Sequence, residues 1–62
     1  MDFSLHGKRV KCIFMDDPFG VPSGTMGTIQ YVDDIGQIHV KWDNGSSLAL
    51  TDIDRYEIID VE

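Results

Sequence analysis

The sequence predicts an all-β domain: a small barrel of five short strands with a long first loop and a short helical turn before the last strand. Three observations carry that expectation. Apolar residues recur at spacing two rather than at three and four, the period of a pleated strand. The alternating runs are separated by clusters of Gly, Pro, Asn and Asp, the residues of chain reversals. A chain of 62 residues is also too short to cover sheet edges with helices, which favours a sheet curled on itself.

The first strand spans residues 8–14, where alternation places Val10, Cys12 and Phe14 on one face and Lys11 and Ile13 on the other. Residues 15–24, MDDPFGVPSG, have the composition of an ordered loop. That loop is too long for mere connection, which marks it as a candidate for function. TMGTIQYVD reads as a second strand with Ile29 and Tyr31 on a shared face, and Gly27 within it suggests a bend or a close backbone approach. Gly36 closes the reversal at Asp33-Asp34-Ile35-Gly36 by taking positive φ, as in a type I turn with a bulge.

QIHVKWD forms the third strand, with Ile38, Val40 and Trp42 pointing one way and His39 and Lys41 the other. Asp43-Asn44-Gly45-Ser46 follows, and Asn-Gly suits the two positive φ values of a type I′ hairpin. A fourth strand over Ser46 to Leu50 directs Leu48 and Leu50 inward, Thr51 to Asp54 makes the helical turn, and RYEII is the fifth strand. The core is therefore expected around Val10, Ile29, Val40 and Leu48. The whole chain, 1–62, reads as one domain, with an ordered core over about residues 7–60. Such a chain buries roughly 60% of the surface it exposes when unfolded, so its stability is modest or borrows from self-association.

The architecture resembles the SH3-like barrel. Gly24-Thr25-Met26-Gly27-Thr28-Ile29 looks like the G-T-x-G-x-[VI] strand of many SH3-like, KOW and Tudor-like barrels. Ile38 to Ser46 is similar to the I-x-V-x-W-D-N-G-S hairpin of an uncharacterised family of short bacterial and phage SH3-like domains, a domain of unknown function. That similarity also takes in Met15-Asp16-Asp17-Pro18 and Asp52 to Tyr56, and so covers nearly the whole chain. A looser likeness to mind-bomb-type repeats rests on Val40 to Ser46. The resemblance implies a fold and supplies no reaction.

Charge narrows the function classes. The formal net charge is −6, which opposes the phosphate neutralisation that drives generic nucleic-acid binding. The distribution is uneven, since Lys8, Arg9 and Lys11 stand against Asp2 alone in the first 11 residues. The single cysteine, Cys12, cannot form an intramolecular disulfide and suits a reducing, cytoplasmic setting. No apolar run is long enough to cross a membrane, and the N-terminus has no targeting pattern.

Catalytic chemistry finds little to use. Cys12 alternates with core residues, and His6 and His39 read as ordinary exposed histidines. The loop carboxylates at Asp16, Asp17, Asp33, Asp34 and Asp43 lack the spacing of a calcium loop, and no zinc pattern is present, so no metal or cofactor is expected. Glycines lack the phosphate-cradling patterns. We therefore expect no enzyme, but a binding module.

The candidate groove combines Asp16, Asp17, Phe19, Asp34 and Trp42, with Tyr31 and Tyr56 as further aromatic lining, and would take a basic or aromatic-anchored protein segment. Core packing is the competing role for Trp42 and Tyr56. Nucleic-acid binding of the KOW or Tudor-like kind is the alternative, through Lys8, Arg9, Lys11 and Lys41 with stacking aromatics. An acidic mimic that occupies a DNA-binding protein is a further alternative. The first or last strand leaves an open edge, which predicts a monomer or a weak homodimer paired there or through Ile13 or Ile59.

Overall fold

A computed structural model describes residues 1–15 and 20–59. Among them four strands, β1 (Arg9–Phe14), β2 (Met26–Val32), β3 (Ile38–Trp42) and β4 (Arg55–Ile59), form one antiparallel sheet in the order β3-β2-β1-β4. The all-β class and the positions of these four strands agree with the alternation in the sequence. One side of the sheet carries the core: Val10, Cys12, Ile29, Ile38, Val40 and Trp42, joined by Val21 and Leu50. The N-terminal segment adds Leu5 to that core and is tied to the end of β2 by reciprocal bonds between Asp2 and Val32, at 2.7 and 2.8 Å.

The five-stranded closed barrel is corrected, among the described residues, to an open sheet of four strands. Residues 46–50 start and end as a β3 partner: Trp42 N–H donates to Ser46 O at 3.0 Å, and Ile38 exchanges two bonds with Leu50 at 2.9 and 2.8 Å. Regular pairing in this register would join Val40 to Leu48. Instead, the Leu48 carbonyl accepts from the Trp42 indole N–H at 2.9 Å, and the Leu48 amide donates to Ser46 Oγ at 3.3 Å. Side chains have taken the main-chain groups that a ladder needs. Leu48 is consequently 38% exposed and Leu50 fills the core position expected of it.

The helical turn is corrected as well. Residues 51–54 make a reverse turn in which Asp54 N–H donates to Thr51 O at 3.2 Å, while the Asp54 carboxylate accepts from the Thr51 amide at 3.0 Å and its hydroxyl at 3.2 Å. No helix continues from it.

Both hairpin reversals use one geometry. Gly36 N–H donates to Asp33 O and Asp33 N–H to Gln37 O, each at 3.0 Å; Gly45 N–H donates to Trp42 O and Trp42 N–H to Ser46 O, also at 3.0 Å. Gly36 and Gly45 take φ of 86° and 92°, and no described non-glycine residue has positive φ. The second reversal is thus a type I turn closed by a glycine bulge, not the expected type I′ turn with Asn44 in the left-handed region. Asn44 contributes its side chain instead, accepting from the Ser46 amide at 3.0 Å.

Two bulges redirect side chains. A register shift between Cys12 and Phe14 takes Phe14 off the core face, leaving it 54% exposed. A second, between Ile29 and Tyr31, inserts Gln30, so Tyr31 lies opposite His39 on the outer face rather than beside Ile29.

Candidate functional site

Of the expected groove, Asp34 and Trp42 lie among the described residues. Asp16, Asp17 and Phe19 lie outside the described residues. Trp42 is in the core at 1% exposure, so it lines no groove. Alternation along β3 turns its indole inward with Ile38 and Val40, over the position where Gly27 lacks a side chain. Asp34 is exposed on the Asp33–Gly36 turn, and its carboxylate holds the Met1 amino group at 2.7 Å. Tyr56 lies on β4, opposite Cys12.

Much of the acidic charge is committed to local structure. Asp33 Oδ1 accepts from the amides of Ile35 and Gln37, at 3.1 and 2.9 Å, and its Oδ2 accepts from His39 Nε2 at 2.8 Å. These bonds, that from His39 foremost, hold the Asp33 carboxyl below its ordinary range. Asp43 accepts a two-pronged contact from Arg9, at 3.1 and 2.6 Å, which likewise lowers its pKa and raises that of Arg9. Asp2 caps Ser4 at 2.8 Å and is lowered mainly by that bond.

The four cations of the nucleic-acid alternative are partly gathered. Arg9, Lys11 and Lys41 stand on the outer face of the sheet, with Arg9 opposite Thr28 and Thr28 opposite Lys41. Lys8 is exposed immediately before β1. Arg9 is committed to Thr28, at 2.8 Å, and to Asp43; Lys11 and Lys41 are exposed.

Two residues along β3 from Lys41, His39 stacks on Tyr31 with centroids 4.4 Å apart and planes 13° from parallel, and Phe3 tilts onto Tyr31 at 5.8 Å. His39 is therefore not the unremarkable exposed histidine expected from alternation. The Gln30 bulge that creates this cluster has no signature in local sequence. The pairing of Asp33 with His39 does: both flank the turn closed by Gly36.

Cys12 offers no nucleophile. It is fully buried, its Sγ lies 3.5 Å from the Val21 carbonyl, and burial pushes its thiol pKa up. Among the described residues no three His, Cys, Asp or Glu side chains converge as metal ligands, and no helix is long and apolar enough to cross a membrane.

The remaining feature is the edge formed by β4. Cys12 N–H donates to Thr25 O at 2.8 Å and Cys12 O accepts from Gly24 N–H at 2.7 Å, so Cys12 aims its main-chain groups at the β2 side. By alternation, Arg9 and Lys11 aim theirs at β4, where they oppose Ile59 and Glu57. Tyr56 and Ile58 are then left with N–H and C=O pointing away from the sheet. Their side chains lie on the core side, opposite Cys12 and Val10, yet each remains 37% exposed. Arg55 and Glu57 project from the other side of the strand and form no ion pair among the described residues.

A comparison with curated proteins and one with solved structures found no match. A family model does match, over residues 3–59. That match spans both reversals, all four strands and the β4 edge, and the chain belongs to the family described as Domain of unknown function (DUF4314).

Proposed function

We propose that this chain is a non-enzymatic protein-binding module that takes an extended partner segment by strand addition along the outer edge of β4. The observation that carries this reading is the outward main chain of Tyr56 and Ile58 beside their half-open apolar side chains. Unpaired main-chain groups supply affinity to any extended segment, and side chains at alternate positions supply selectivity. The opposite edge of the sheet is occupied: Ser46 and Leu50 bond to β3 there. β4 has no such cover among the described residues.

The edge is preferred to the expected groove because, of its described members, Trp42 is in the core and Asp34 holds the Met1 amino group. A buried, unpaired Cys12 fits a reducing cytoplasmic setting. Affinity capture from cell extract, with and without nuclease, tests the reading when the chain is compared with its Ile58→Pro variant. Proline at 58 removes an outward donor and leaves the bonds to β1 intact. Proteins retained by the parent after nuclease and lost with Ile58→Pro support it; retention indifferent to Ile58→Pro counts against it.

A second reading rests on the outer face, where Lys41 stands two residues along β3 from the His39 that stacks on Tyr31, and Lys11 lies farther along the same face. Aromatic rings and cations on one sheet face are the ingredients of single-strand nucleic-acid binding, although the net charge of −6 opposes it. Retention of single-stranded nucleic acid at low salt, lost in Lys11→Ala with Lys41→Ala, would favour this reading over the first.

A further inference from the structure

We infer that the partner strand at the β4 edge is β4 of a second copy, paired antiparallel about a two-fold axis through Tyr56. This rests on the strand-addition reading above and names its occupant.

The register follows from elimination. Main-chain bonding across the edge requires outward residues to meet outward residues, so Tyr56 and Ile58 of one copy must face residues of the same parity in the other. Pairings offset by one residue fail, because they also set a core-side side chain against an outer one. Among those that remain, an axis through Glu57 opposes Glu57 to its own copy, and an axis through Arg55 does the same to Arg55. Both place like charges in direct opposition. An axis through Ile58 sets Glu57 against Ile59 and leaves Arg55 beyond the paired segment.

The axis through Tyr56 is the one that opposes Arg55 to Glu57 twice, once on each side of the centre. Those are the two charged side chains of β4, and neither has an ion-pair partner among the described residues of its own chain. In this register they fall in pairs that are not main-chain bonded, where side chains approach most closely. Tyr56 meets Tyr56 of the second copy on the core side, next to Ile58, covering apolar surface that each chain leaves 37% exposed. The assembly is a continuous eight-stranded sheet closed by its two-fold axis, since the β3 edges are occupied.

The interface is a single short strand, so the association is weak and concentration-dependent. Each copy also carries a net charge of −6, and the two Arg55–Glu57 pairs locally offset that mutual repulsion. Moderate salt therefore has opposing effects, and the discriminating test is charge exchange rather than ionic strength.

Sedimentation equilibrium of the full chain over about a hundredfold concentration range should show 7.0 kDa monomers giving way to dimers. Arg55→Glu faces Glu57 across the axis with another glutamate, and Glu57→Arg faces Arg55 with another arginine. Each variant alone should associate at least about tenfold more weakly than the parent. An equimolar mixture should recover association as a heterodimer, because the two glutamates on β4 of the first variant then face the two arginines on β4 of the second. Far-ultraviolet dichroism and Trp42 emission establish that both variants keep the fold.

A parent that stays monomeric throughout, a dimer indifferent to both single changes, or a mixture no stronger than its components would each overturn the inference. The strand-addition reading is judged separately. A monomeric parent whose captured proteins are lost with Ile58→Pro removes self-pairing and leaves that reading standing. A dimer that survives Ile58→Pro removes pairing through β4, and capture indifferent to Ile58→Pro removes the strand-addition reading.

Discussion

Gly27 and Trp42 oppose each other across the β2–β3 ladder so closely that a Cβ on Gly27 would stand 2.8 Å from the indole Cε3 and 2.5 Å from Cγ1 of Val40. Both neighbours are fully buried, and the Lys41 carbonyl lies 3.1 Å from the same point, so none of them has room to yield. Gly27→Ala should therefore destabilise the domain by about 1–3 kcal/mol through overpacking. A urea midpoint equal to or above that of the parent would show that the sheet relaxes around the methyl group.

Trp42 fills the space above Gly27 and also donates to the Leu48 carbonyl at 2.9 Å. Trp42→Phe keeps an aromatic ring but leaves that carbonyl without the indole donor, and should cost about 1–3 kcal/mol. Since Trp42 is the single tryptophan, its emission reports directly on this site. Native emission should be blue-shifted relative to the unfolded chain and shielded from iodide; a solvent-like spectrum in the folded state would contradict the burial.

Stability should fall on acidification in a way that can be traced to two turns. Asp33 and Asp43 both have folded pKa values below the ordinary carboxylate value, chiefly through His39 and Arg9 respectively. A depressed folded pKa stabilises the protein above the unfolded value, about 3.9, and that contribution disappears as pH falls through the folded value. Asp33→Asn should be less stable than the parent near neutrality, with the gap closing below the usual carboxylate range. Thermal melts of the two proteins from neutral to acid pH check this; a gap independent of pH would assign the loss to packing instead.

Cys12 is fully buried, and desolvation raises its pKa. A thiol reagent at mildly alkaline pH should label the native chain far more slowly than the chain in denaturant, because both access and thiolate formation require opening of the core. Equal rates in the two states would place the thiol at the surface.

Period-two alternation and glycine-bearing reversals determined the four strands, the inward set Val10, Cys12, Ile29, Ile38, Val40 and Trp42, and the positive φ at Gly36 and Gly45. These are local properties: the pleat and the turn depend on residues a few positions apart. Tertiary structure alone decided that Gln30 is bulged so that Tyr31 meets His39, and that the indole of Trp42 takes the Leu48 carbonyl from a fifth strand. It also decided which of the first and last strands keeps the open edge: among the described residues it is β4, beside Tyr56 and Ile58. Each of these outcomes is a competition for one main-chain group or one patch of surface between segments distant along the chain. Alternation records which face a side chain takes, and it carries no information about which distant neighbour wins that competition.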